Sequence, residues 1–159
     1  MYKKFVLMIW GDFFGVKKIS PLFSVEIMEG ALLANQISET VKVGTIGELL
    51  VQLRLLQYDV QAAPPIKDSG NDLIALKGKV CKLLQIKTTT RERFVIPDEK
   101  IIYDILAVVH LEGKGTTIFL DMSSVFLLPK EKVSGITPRN IDKLHDFKLD
   151  EKIIRKLFR

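Results

Sequence analysis

The spacing of apolar residues changes between residues 57 and 65, and that change does most to fix what the chain can build. Before it, Ile46, Leu49, Leu50, Leu53 and Leu56 recur at three- and four-residue intervals, the signature of a helix. Thr45 stands three residues before Glu48, a capping-box arrangement for the start of that helix. Tyr58-Asp-Val-Gln61 then turns extended, and Pro64-Pro65 forbids further helix. Beyond the prolines the apolar runs are short. Asp72-Leu-Ile-Ala-Leu76 and Val80 to Ile86 flank the turn Lys77-Gly-Lys79, which predicts a hairpin. Ile101 to Leu111 gives another strand, and Thr116 to Leu120 with Val125 to Leu128 gives one or two more, stopped by Pro129. Upstream, Leu22 to Glu39 reads as a helix weakened in its middle by Gly30. Downstream, lysine-rich helical turns run from about Thr137 to Leu157, with Ile141, Leu144, Leu149, Ile153 and Leu157 apolar. A helix or two, four or five strands and a closing helix make an α/β (α+β) single domain, with a central mixed β-sheet flanked by helices.

Composition narrows the function classes. At 159 residues, 47% apolar and 27% charged, the chain has the size and balance of one globular domain, residues 1–159. One cysteine, Cys81, rules out an intramolecular disulfide framework and a multi-cysteine zinc module. The longest stretch without Asp, Glu, Lys or Arg, Gly30 to Ser38, is nine residues, whereas a membrane-spanning helix needs about 20. Met1-Tyr-Lys-Lys followed by Phe5-Val-Leu-Met-Ile-Trp10 imitates the first two regions of a signal peptide. Asp12 interrupts the run and no small-residue cleavage site follows, so it reads as a buried strand or short anchor in a cytoplasmic protein with no membrane partner. The net charge is +5, and it is uneven. Lys77, Lys79, Lys82, Lys87, Arg91 and Arg93 face only Glu92 between Lys77 and Arg93, and the tail from Lys130 carries nine basic against five acidic residues. Such patches suit a polyanion or a solvated surface.

Most catalytic signatures are missing. The two histidines, His110 within an apolar run and His145 in the basic tail, come without a Gly-x-Ser-x-Gly elbow, and neither phosphate-binding glycine motif occurs. Cys81 and His110 read as packing residues. The hairpin stands out instead. Asp72 opens its first strand, while Gln85 and Lys87, two residues apart on the second, project to one face. Folding about Gly78 sets Asp72 opposite Leu83 or Leu84, next to Gln85. A carboxylate, an amide oxygen and an ammonium thus meet at the open end of a hairpin, with Glu48 from the preceding helix as a second carboxylate. Mg²⁺ takes oxygen ligands of this kind and shares phosphate oxygens, and it activates water toward the phosphate under attack.

The order Glu48 in a helix, Asp72 opening a hairpin and Gln85-Ile-Lys87-Thr-Thr on its second strand resembles the PD-(D/E)XK nucleases, which include restriction endonucleases, archaeal Holliday-junction resolvases and RecB-type nuclease domains. Gly44 to Val60 is similar to the family's first helix and entering strand, and Ile102 to His110 with Val125 to Lys130 to its later strands. The resemblance covers about residues 43–133, leaving an N-terminal extension (1–42) and a basic helical tail (134–159). Two departures matter: Gln85 replaces the second acidic residue, and Asn71 replaces the proline before Asp72. The resemblance implies a restriction-endonuclease-like fold and a Mg²⁺-dependent endonuclease, with Mn²⁺ as substitute, hydrolysing DNA phosphodiesters. Asp72 and Glu48 would bind metal with the Gln85 side chain or the Ile86 backbone oxygen, and Lys87 would position the attacking water. Thr88 and Thr89 would contact a phosphate, while Lys77, Lys79, Arg91 and Arg93 would hold the nucleic-acid backbone. A domain this small leaves little room for extended sequence readout, which points to a symmetric homodimer or a partner protein. Each residue also has a structural alternative: Glu48 in the capping box, Asp72 bonding turn amides, Lys87 discouraging strand-edge pairing. The rival function is a catalytically silent nucleic-acid-binding module of the same fold, which Gln85 permits.

Overall fold

Ser38 starts the first helix, seven residues earlier than Thr45. The computed structural model describes residues 37–67 and 70–159, and the run from Ser38 to Arg159 forms one compact unit. The expected strand or anchor near the N-terminus and most of the expected Leu22–Glu39 helix lie outside the described residues. Glu39 itself belongs to α1 (Glu39–Leu56), whose N-cap Ser38 is extended and accepts a bond from the Val41 N–H at 3.3 Å. Glu39 in the first turn and Arg54 in the last complement the helix dipole. Thr45 therefore lies inside the helix, and the capping-box explanation of Glu48 falls away. The five expected stripe residues also divide. Leu50 is buried and Ile46 packs against the core, whereas Leu49, Leu53 and Leu56 point outward and stay exposed. Val51 and Leu55 complete the inner face.

After the Gln57 cap the chain turns through Asp59, at φ 58°, and Val60 bonds back to the Leu55 carbonyl at 3.2 Å. Strand β1 (Gln61–Ala63) is a short edge that ends at Pro64-Pro65. Strands β2 (Leu73–Lys77) and β3 (Val80–Thr89) form the expected hairpin, closed by Gly78 at φ 59°. β4 (Ile105–Lys114) lies parallel to β3, and β5 (Thr117–Pro129) returns antiparallel to β4 around Gly115. The sheet order is β1-β2-β3-β4-β5, a mixed five-stranded sheet with flanking helices in an α+β arrangement. Residues 117–129 make one long strand rather than two.

Alternation along β4 explains its unbroken apolar run. Ile105, Ala107, Val109 and Leu111 pack beneath α1, while Leu106 and Val108 face Phe94, Tyr103, Phe126 and Leu144 on the other side. A strand covered on both faces has no polar side to show. The tail does not form one helix. A single turn, α2 (Lys130–Val133), a 3₁₀ helix (Ile141–Phe147) and α3 (Glu151–Leu157) are separate, because Leu149 bonds to the Val125 carbonyl at 2.9 Å and breaks the run. Asp150 then caps α3, accepting from the Ile153 N–H at 2.7 Å. Among the described residues no helix is long and apolar enough to cross a membrane.

Candidate active site

β2 stops short of β3, and the candidate site lies in the fork this leaves. The ladder begins at the Leu73–Leu84 pair, so Asp72 lies just beyond it, beside Gln85. The Asp72 N–H donates to the Leu84 carbonyl at 2.9 Å. One carboxylate oxygen, Oδ2, then accepts from the Ile86 N–H at 2.5 Å and from Gln85 Nε2 at 2.6 Å. The carboxylate thus stands where the next β2 residue would have paired with β3. N–H and C=O of one strand residue point to the same edge, so the Ile86 carbonyl also faces the fork. On the opposite edge of β3, Asp104 does the same for Leu83, accepting its N–H at 2.8 Å. Gln85 is buried, at 6% exposure, so its bond to Asp72 satisfies a polar group that the core would otherwise strand. That bond turns its amide nitrogen toward Asp72.

Glu48 stands on α1, close enough to the fork to feel the charge of Asp72. Its carboxyl is raised above the ordinary glutamate range, first by burial and then by the negative charge of Asp72. Two carboxylates held in each other's field are unfavourable alone and favourable around a cation. Glu48 and Lys87 line one open groove of about 560 Å³ together with Gly44, Ile86, Thr88, Thr89 and Arg91. Among the described residues no three His, Cys, Asp or Glu side chains cluster as a ready-made metal site. The oxygen donors here are two carboxylates, the Gln85 amide and the Ile86 carbonyl, a set suited to a hard divalent ion but carrying only two negative charges.

The other expected residues are distributed unevenly. Thr88 packs against Gly47 of α1. The Thr89 hydroxyl is taken up by the loop after β3, donating to the Arg93 carbonyl at 2.9 Å and accepting from the Arg91 N–H at 3.0 Å. Arg91 lines the groove, and Arg93 is exposed just beyond it. Lys77 and Lys79 sit at the hairpin turn, at the other end of β3 and about 20 Å along the strand from the fork. Lys77 donates to the Tyr58 carbonyl, bracing the end of α1. Cys81 is exposed, and His110, half-buried, lies 3.5 Å from Glu112, outside the groove lining. Sequence reasoning missed Gly47, the glycine through which α1 rests on β3, and Gly44, which lines the groove; their i, i+3 spacing on one helical face was the available signal.

No known family profile matches the chain, and no curated protein matches it in sequence. In three dimensions it is similar to a bacterial homing endonuclease, with a TM-score of 0.51 and 12% identity over 77% of this chain and 93% of that one. At that identity the likeness speaks for the fold: the α+β arrangement of this chain is one that a nuclease also adopts.

Proposed function

We propose that this chain is a metal-dependent endonuclease that hydrolyses DNA phosphodiester bonds through a PD-(D/E)XK-type site. The observation that supports the reading is that Glu48, within the electrostatic field of Asp72 at the β2–β3 fork, lines one groove with Lys87. In this reading Asp72 and Glu48 hold a Mg²⁺ or Mn²⁺ ion, with the Ile86 carbonyl or the Gln85 amide oxygen as further donors. The bound ion supplies positive charge at the phosphate and a lowered pKa for coordinated water. Lys87 orients the attacking water and stabilises charge on the phosphate. Arg91, in the groove, and Arg93 beyond it hold the nucleic-acid backbone by charge and without reading bases. Thr88 serves as a spacer beneath α1. Lys77 and Lys79, at the far end of the hairpin, would touch only a longer substrate. A symmetric pair of chains would place one such site on each strand of a duplex, so the reading includes a homodimer.

One observation favours the rival reading of a silent binding module. Gln85 is uncharged and turns its amide nitrogen to Asp72, so the proposed site has two charged ligands where the family's pattern has three. The experiment is cleavage of plasmid, branched and single-stranded DNA by the full chain with Mg²⁺ and then Mn²⁺, beside Asp72→Asn. Metal-dependent cutting lost in the variant supports the nuclease. Salt-sensitive DNA binding by both proteins without cutting would overturn it in favour of the silent module.

A further inference from the structure

We infer that Gly47 is a positioning residue: by letting α1 rest directly on the Thr88 side chain, it sets how far Glu48 reaches across the fork toward Asp72. The inference rests on the reading of Glu48 and Asp72 as one site.

A glycine inside a helix is intrinsically unfavourable compared with alanine, so its presence asks for a reason. α1 contains two, and their surroundings differ. A Cβ at Gly44 would meet nothing within 4 Å. A Cβ at Gly47 would lie 1.9 Å from the Thr88 hydroxyl oxygen and 2.9 Å from both the Cβ and Cγ2 of Thr88. Only Gly47 is required by contact.

Thr88 cannot step aside cheaply. It is β-branched and stiff at χ1, and it sits on β3 in register with Val109 of the central strand β4. An added methyl therefore pushes α1. Restoring an ordinary contact of 3.4 Å from 1.9 Å moves the helix by about 1.5 Å. A helix moves as a rod, so Glu48, the next residue, is carried along. Positional errors of about 1 Å in a catalytic constellation can cost on the order of 100-fold in rate. Thr88 follows Lys87 directly, so this one contact ties the helix carrying the carboxylate to the strand carrying the ammonium.

The test uses the full chain and reads both the position of α1 and the cation site. In Gly47→Ala, a crystal structure is expected to show α1 moved about 1.5 Å away from Thr88 on β3. The Mn²⁺ dissociation constant should rise about 10- to 100-fold. Cleavage should show a larger fall in kcat than rise in KM. The double variant Gly47→Ala/Thr88→Gly removes all three crowding atoms and should restore the helix position and the Mn²⁺ affinity. A folded Gly47→Ala with α1 in its wild-type place overturns the inference, as does a folded double variant that keeps the displacement. Should Gly47→Ala not fold, the double variant decides alone: a wild-type helix position and Mn²⁺ affinity support the spacer role, and a displaced α1 overturns it. If the wild type neither binds Mn²⁺ nor cuts DNA, the nuclease reading fails while the distance from α1 to β3 still decides the role of Gly47.

Discussion

Replacing Asp72 should cost stability as well as activity, and the two losses can be separated. Its Oδ2 accepts from the Ile86 N–H and from the side chain of buried Gln85. Hydrogen bonds to a charged group contribute about 1.5–3 kcal/mol each, and a buried donor left unpaired costs about 1–3 kcal/mol. Asp72 is half-buried and its field acts against Glu48, so the sum is discounted. Asp72→Ala should destabilise the protein by about 2–4 kcal/mol. Asp72→Asn keeps one acceptor oxygen without the charge and should cost about 1–2 kcal/mol. For a folded unit of this size 1 kcal/mol moves Tm by roughly 3–5 °C, so Asp72→Ala should melt about 6–20 °C below wild type and Asp72→Asn clearly nearer to it. Urea and thermal unfolding followed by circular dichroism measure both. An Asp72→Ala protein within about 0.5 kcal/mol of wild type would refute the bonding scheme at the fork. Asp72→Asn is consequently the sounder control for activity, because Asp72→Ala confounds chemistry with folding.

Three further outcomes follow from the geometry. Lys87→Ala should lower DNA cleavage by about 100- to 1,000-fold while its urea midpoint stays near wild type; an active Lys87→Ala protein removes Lys87 from the mechanism. Glu48 binds its proton more tightly folded than unfolded, so folded protein holds more protons and stability falls as pH rises between the two pKa values, with the full cost present above the folded one. Glu48→Gln should therefore be more stable than wild type at neutral pH and lose that advantage in acid, as unfolding across pH would reveal, and it should not cut DNA. Gly44→Ala, with no atom within 4 Å of the added Cβ, should stabilise α1 by about 0.5–1 kcal/mol, read as a higher Tm; a lower Tm would contradict the open space recorded there.

The hairpin is legible in the sequence because the turn Lys77-Gly-Lys79 stands between two short apolar runs, which leaves few alternatives. Its register was off by one. The Lys77–Val80 pair closes a two-residue turn of Gly78 and Lys79, which sets Asp72 against Gln85 instead of Leu83 or Leu84. The start of α1 was misread because Thr45-x-x-Glu48 is a good capping box and Gly44 looks like a boundary, whereas packing on β3 carries the helix through both. Spacing alone places Leu49, Leu53 and Leu56 in a buried stripe, because it cannot say which side of a helix with apolar residues on several sides meets the sheet. Asp72, Gln85 and Lys87 stand out in the sequence as polar residues at and within apolar strand runs, and Glu48 as a carboxylate on the helix before them. The Gly47–Thr88 contact was not, since it joins residues 41 positions apart through shape alone.

The central claim, that Glu48 and Asp72 form one cation site, is tested most directly by calorimetric titration of Mn²⁺ into the full chain, wild type beside Glu48→Gln and Asp72→Asn. The account predicts binding by the wild type that weakens in each variant and no further in the two combined than loss of a single site allows. Absence of binding in the wild type, or binding indifferent to both substitutions, would contradict it.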